Sequence, residues 1–575
     1  MRNLIFLSIL FSFQFSIGQN LKTRYELTKA KETSTYEEVI GFWKKLDQTS
    51  KKIKIYEKGK TDSGYPLHLA IISNTKEFDI SKIKQQKKSI ILIQNGIHPG
   101  EPDGIDASML LARDIAEGKV KLPDQVILAI IPVYNIGGFL KKSPNYRVDQ
   151  NGPTDKSPRG NAQNFDLNRD YIKLDSKNAR SFVQIFHELD PDVFIDNHVS
   201  NGADYQHIMT FISSQHSKVG GEMGDYMNQV FEPGMYRLMK EKNYNLIPYV
   251  NVWGKAPDEG WNEFFDSPRY SSGYGTLWST FSFVPETHML KPYNQRVEAT
   301  YQLMLSFIDF VNTNRTDIQN IRKQSREREL TAKEFPVRWK HNPDKFQNFL
   351  YTGYKAAYKK SEISGLDRLY YDRNQPFEKE VPVYNVYETE KTVTKPLAYI
   401  IPQGWWKVIE LLQLNGIQMH QLEQDMNLEV EIYKIKDYKP AATAYEAHHI
   451  NSNVSLEKQI QTVAFRKGDW YIPMNQTANR FLIEVLEPES VDSYFAWNFF
   501  DGILQQKEGF SPYVFEDIAA EYLKNHPEIR KELEEKQKAD PEFAKDAYAQ
   551  LNFVYEHSPW IEPEFMQYPV YRILK

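Results

Sequence analysis

Between residues 20 and 313 the chain alternates short apolar runs with stretches of helical period, and that alternation limits the fold more than any other feature. Ser89-Ile-Ile-Leu-Ile-Gln94 is rich in β-branched residues and too short for a helix, which marks a strand buried on both faces. Asp106 to Ala116 follows with a helical pattern that stops at Gly118. Val126–Val133 and Val193–His198 repeat the strand pattern, and Ser176–Leu189 between them reads as a helix closed by Asp190-Pro191. Further strands are expected near His207–Ile212 and Phe281–Pro285, then a helix from Asn294 to Val311. The predicted class is α/β: a doubly wound, mostly parallel (mixed) sheet with helices on both faces.

The character changes after this region. Asn312 to Lys333 is polar and charge-dense, a solvated helix or linker, and residues 314–393 as a whole read as a charged, irregular connection. From 394 a second organised region begins, with a strand at Leu397–Ile401, a helix from Trp405 to Leu414 stopped by Gly416, and a strand at Leu428–Ile435. The tail from Asp517 to Leu551 is helical and highly charged. Residues 394–575 are therefore expected to form a smaller C-terminal α/β or α+β accessory domain, after a catalytic-type domain over 19–313.

The first residues carry the three parts of a cleavable signal peptide over 1–18. Arg2 is followed by an apolar stretch to Phe15, and Ser16 and Gly18 are small residues before a cut at Gln19. The apolar run is shorter than the ~20 residues that a spanning helix needs. The expectation is a protein exported to the periplasm or the exterior, with no membrane span. There is no cysteine, which excludes disulfides, thiolate–metal sites and thiol nucleophiles. Any metal must be held by His, Asp or Glu, the donor set of exchangeable catalytic sites. A net charge of −5 over 575 residues leaves no nucleic-acid footprint.

The residues with the most chemistry are Gly96-Ile-His-Pro-Gly-Glu-Pro102, on the turn between the first buried strand and its helix. Ligands of such sheets gather at the carboxyl ends of strands. There, His98 and Glu101 can aim an imidazole and a carboxylate at one point, and His198 ends another strand. Two histidines and one carboxylate make a catalytic zinc set. Phe165-Asp-Leu-Asn-Arg-Asp170 stands between them, and Phe283-Val-Pro-Glu-Thr-His288 lies downstream with Glu286 ending an apolar strand. There is no His-Glu-x-x-His and no Gly-x-Ser-x-Gly. His187, His207, His216 and His288 read as satisfied structural residues, and His448-His449 as a surface pair.

In this order and spacing, over about residues 90 to 295, the motifs resemble the zinc carboxypeptidase family, which includes pancreatic carboxypeptidases and bacterial peptidoglycan-processing enzymes. The resemblance implies a secreted bacterial member with one Zn2+ on His98, Glu101 and His198. It makes Glu286 the general base, and Asn168 and Arg169 the grip on a substrate's terminal carboxylate. Asp166 becomes the acceptor that orients His98. The family's oxyanion arginine matches Arg147, with Arg159 as rival, and its capping tyrosine matches Tyr270. Gly100 stands where pancreatic members often have arginine. The implied substrate is a peptide or a peptidoglycan peptide. The alternatives are a zinc amidase or deacylase, a γ-D-glutamyl-diaminopimelate peptidase, or a non-catalytic peptide- or glycan-binding protein on the same scaffold.

Overall fold

The computed structural model describes residues 21–575; the expected signal peptide lies outside the described residues. The chain divides into two compact units. One runs to Val393 and takes in Gln413–Gly416 and Thr477–Phe481; the other holds Thr394–Leu412, Ile417–Gln476 and Leu482–Lys575.

The first unit is built on an eight-stranded sheet. Its strands are β1 (Ile53–Lys60), β2 (Pro66–Ile72), β3 (Ser89–Asn95), β4 (Val126–Ile131), β5 (Val193–Ser200), β6 (Met209–Ser213) and β7 (Ile247–Pro248). After a two-residue strand of another sheet, β8 (Trp261–Asn262), comes the last, β9 (Phe281–His288). The order is β1-β2-β4-β3-β5-β9-β6-β7. The central strands β4, β3, β5 and β9 run parallel, and β2 and β6 flank them antiparallel. The mixed, doubly wound sheet expected from the alternation is present.

Every residue of β3, β4 and β5 is buried, because helices cover both faces. These are α1 (Tyr36–Thr49), α2 (Asp103–Glu117), α3 (Lys177–Leu189), α4 (Glu232–Glu241) and α5 (Tyr293–Thr331). On one face α1, α2, α4 and α5 send Trp43, Met109, Met235 and Phe307 into a core that includes Val193 and Ile195 of β5. Phe194 between them points to the other face, where it packs on Phe182 and Phe186 of α3. Helix ends follow local chemistry: Ser176 caps α3 through Ala179 N–H, and Gly118 ends α2 in the left-handed region at φ 79°.

Residues 314–393 differ from the irregular connection expected. α5 continues to Thr331, bending at Asn314, whose amide donates to Phe310 O at 2.9 Å. Four strands follow: β10 (Glu334–His341), β11 (Gln347–Lys360), β12 (Asp367–Tyr384) and β13 (Tyr387–Thr394). β11 and β12 form a long antiparallel ribbon, and the end of β12 pairs with β8. Only the base of the ribbon is buried, where Tyr351, Val381 and Val383 meet Tyr205, Val250 and Trp261. Beyond it the strands meet solvent on both faces, so they carry charge and lack the apolar alternation by which strands are read.

The second unit holds a six-stranded sheet in the order β15-β18-β14-β19-β16-β17. These are β14 (Ala398–Ile401), β15 (His420–Gln421), β16 (Met426–Pro440), β17 (Asn451–Phe465), β18 (Trp470–Pro473) and β19 (Tyr571–Ile573). Its helices at Pro512–Asn525, Pro527–Ala539 and Ala547–Glu556 share an apolar cluster of their own. Among the described residues no helix is long and apolar enough to cross a membrane.

Candidate metal centre

At the carboxyl end of β3 the chain turns through Gly96, at φ 65°, a conformation in which a side chain is strained. Glu101 N–H then donates to His98 O at 2.9 Å, which sets both side chains on one side of the turn before α2. His198 lies near the end of β5, and the parallel register of β5 with β9 places it opposite Glu286. His98 Nδ1 is 3.2 Å from Glu101 Oε1, and His198 Nδ1 is 3.1 Å from Oε2. The three ligand atoms lie within 4.8 Å of one another. His98 Nδ1 is buried and has no hydrogen-bond partner. A buried lone pair with no donor, facing a carboxylate and a second imidazole, is what a divalent cation satisfies.

Each histidine is backed by a carboxylate on its other nitrogen. His98 Nε2 is 2.9 Å from Asp166 Oδ1, and His198 Nε2 is 2.9 Å from Asp196 Oδ2. With Nε2–H donating in both rings, both Nδ1 atoms are left as acceptors for a metal. Asp196 escaped the sequence reading, although its signal was there. It lies two residues before His198 on one strand, hence on the same face.

The charges of these groups act on one another. Burial pushes Glu101 up, but Arg147, His98 and His198 hold it well below the usual carboxylate range. Asp166 is likewise held well down against its burial by His98, Arg159 and Arg169. His198 is raised, again against burial, by Asp196 and Glu101. Glu286 is the exception: burial pushes it up to about 8, with Glu101 adding to the rise and His198 and Arg159 opposing it.

A cavity of about 370 Å³ opens over these groups and is lined by His98, Glu101, His198, Glu286, Asn168, Arg169, Arg159 and Tyr270. Arg169 stacks over the Tyr270 ring with its guanidinium carbon 4.4 Å from the centroid, and it donates to Asn168 O at 2.7 Å. Asn168 Oδ1 in turn accepts from Ser271 N at 3.1 Å, which fixes the amide.

The two candidate arginines separate here. Arg147, the first choice for the oxyanion role, is not among the residues lining the cavity. Its Nη2 donates to Glu101 Oε1 at 2.5 Å, so it holds a candidate ligand. Arg159 does line the cavity, tethered by Nε to Asp166 Oδ2 at 2.7 Å. Gly100 is explained by the same packing. A Cβ there would stand 2.4 Å from Ser157 O and 2.5 Å from Arg147 Nε, so the space an arginine would need is already filled.

Residues 39–249, which include the three ligands, both arginines and the Asp166–Arg169 segment, match the zinc carboxypeptidase family model, Peptidase_M14. Carboxypeptidase 2 of the fungus Trichophyton rubrum is 19% identical over 479 residues, covering 80% of this chain and 82% of that protein. Carboxypeptidase 2 of Trichophyton tonsurans is 20% identical over 477 residues, with the same coverage. Among solved structures, a metallo-carboxypeptidase from Burkholderia cenocepacia is 16% identical, covering 48% of this chain and 69% of that one at a TM-score of 0.36. On the family match and the His–Glu–His cluster, the chain is a zinc-dependent metallopeptidase, a hydrolase with zinc as its cofactor.

Proposed function

We propose that this chain is an exported carboxypeptidase that removes a C-terminal residue with an apolar side chain from peptides. One observation carries the reading. The cavity that holds the ligand cluster also holds a carboxylate, Glu286, and an arginine–asparagine pair, Arg169 and Asn168. The bond cut therefore lies next to a free carboxylate.

The chain's own groups divide the work. Arg169 takes the substrate carboxylate through two parallel N–H donors, its plane set by Tyr270 beneath it. Arg159 presents its remaining N–H groups to the carbonyl oxygen that gains charge. Glu286 accepts a proton from the attacking water and passes it to the departing amine. His98, Glu101 and His198 would hold the zinc, which when bound would supply Lewis acidity and lower the pKa of a water to about 7.

The side-chain preference rests on the remaining wall. Ile212 and Val284 are cross-strand neighbours and line the cavity with Tyr249 and Phe264. Beyond the groups already given roles, the described residues that line the cavity include no carboxylate to pair with lysine or arginine and no cation to pair with glutamate.

The test is digestion of peptides that differ only in their last residue. Endings in Phe, Leu or Ile should be cleaved fastest and C-terminal amides not at all. Release of an acyl group alone, or cleavage of only a γ-D-glutamyl-diaminopimelate bond, would assign the site to the alternative substrates. Binding without hydrolysis would make the chain a non-catalytic binder. The export signal is tested separately, by N-terminal sequencing of the protein recovered outside the cytoplasm.

A further inference from the structure

The β11–β12 ribbon stands apart from the site and has no part in the chemistry above. Beyond its buried base its strands pair only with each other, from Lys355↔Asp372 to Lys360↔Asp367. Those six pairs reach ~20 Å at about 3.4 Å per residue. The base is fixed: Tyr205 bridges Gly353, and Arg373 Nε binds Asp204 Oδ2 at 2.7 Å. The tip is thus presented on an arm anchored at its base.

Its composition is unusual for a solvated turn. Ile363 is 97% exposed and Leu366 70%, with Tyr358 on the strand behind them at 63%. Apolar side chains this exposed at a projecting tip mark an interaction site. The turn's backbone is satisfied from within. Ser361 Oγ accepts from Ile363 N and Ser364 N, Ser364 Oγ accepts from Leu366 N, and Gly365 N and Ser361 N close the loop through Ser361 O and Leu366 O. A turn that already satisfies these N–H groups can leave water at little cost.

The flanking charge names the surface it fits. Lys359 and Arg368 lie directly opposite each other across the ribbon, an arrangement that costs stability in isolation. Neither has a carboxylate partner among the described residues, whereas Lys360 is paired with Asp367 at 2.9 Å. Glu362 is the opposing charge at the turn. A second copy of the chain would bring a second Lys359–Arg368 pair against the first, so self-association is disfavoured. An anionic bilayer offsets the repulsion and takes the apolar tip at once.

We propose that the ribbon tip docks on anionic lipid membranes. Ile363 and Leu366 enter the headgroup–acyl boundary, Tyr358 lies at its edge, and Lys359 and Arg368 contact lipid phosphates.

The test is co-sedimentation of the full chain with phosphatidylcholine vesicles, with and without phosphatidylglycerol. Binding should require phosphatidylglycerol and weaken with salt. The double variant I363S/L366S should lower partitioning at least about tenfold, and K359E/R368E should abolish the dependence on phosphatidylglycerol. Both variants should hydrolyse soluble peptides as the parent does, which shows that they are folded. The proposal is overturned if the parent ignores both vesicles or if the variants partition like the parent. Concentration-dependent self-association lost in I363S/L366S would also overturn it, assigning the tip to a second copy.

Discussion

Replacing Asp196 by asparagine should loosen zinc without touching the chemistry. The His198–Asp196 contact is 2.9 Å and both side chains are buried, at 3% and 1% exposure, so no water can take the lost partner's place. Gln94 Nε2 donates to Oδ1 of Asp196 at 3.1 Å and would keep the oxygen of an asparagine at that position. The new NH2 group then faces His198 Nε2, which favours the tautomer with its proton on Nδ1, the atom aimed at the metal. Loss of such a partner costs 10- to 100-fold in metal affinity, about 1.4 to about 2.7 kcal/mol, and the tautomer argument puts D196N toward the upper end. The assay is competition with a fluorescent zinc chelator, run beside kcat at saturating zinc. D166N is the contrast. Asp166 backs His98 and also tethers Arg159, so its loss should lower both zinc affinity and kcat. The reasoning is refuted if D196N holds zinc as tightly as the parent, or if its kcat at saturating zinc falls as far as that of D166N.

Other expectations follow from the same geometry. E286Q should keep its zinc and lose about 10²- to 10⁴-fold in kcat, measured on a peptide with a C-terminal phenylalanine. R159M should lose about 10²- to 10³-fold in kcat. R147M, which releases Glu101 rather than the reacting oxygen, should show its main effect as altered zinc affinity; equal losses of kcat would reverse their assignment. R169M should raise KM for peptides with a free carboxylate, and kinetics on a single peptide series will show whether KM or kcat carries the loss. His207 is pushed down to about 4 by burial. Nδ1 donates to Asn245 O and Nε2 accepts Thr352 N–H, at 2.9 and 3.1 Å. The unfolded chain binds this proton below about 6.5 and the folded chain only near 4, so stability should fall as pH drops through that window, by at most about 3.4 kcal/mol. Denaturation of H207Q at pH 7 and pH 4.5 should show a shallower loss than the parent.

Much of the sheet and of the ligand set was legible because it depends on local order. Runs such as Ser89–Gln94 are short and rich in β-branched residues, as a buried strand is, and His98 and Glu101 fall on the turn that follows. The ribbon was not legible: its burial is confined to Tyr351, Val381 and Val383, whose partners Tyr205, Val250 and Trp261 lie 351 − 261 = 90 to 383 − 205 = 178 residues earlier in the chain. Asp196 shares a face with His198 through the two-residue period of β5, but that it meets Nε2 depends on the orientation of the imidazole ring, which only the fold sets.

The amino-acid order by itself determined that a buried parallel sheet would form and that two histidines and a carboxylate would lie at its strand ends. These follow from periodicity, turn residues and side-chain chemistry. Only the tertiary structure decided that Glu286 stands beside His198, because that depends on the register of β5 against β9. It alone set Arg159 in the cavity and Arg147 behind Glu101, since the path of the loop between β4 and α3 fixes where each guanidinium can reach. It also decided the apolar wall of Ile212 and Val284, because cross-strand neighbours are made by pairing and not by spacing along the chain.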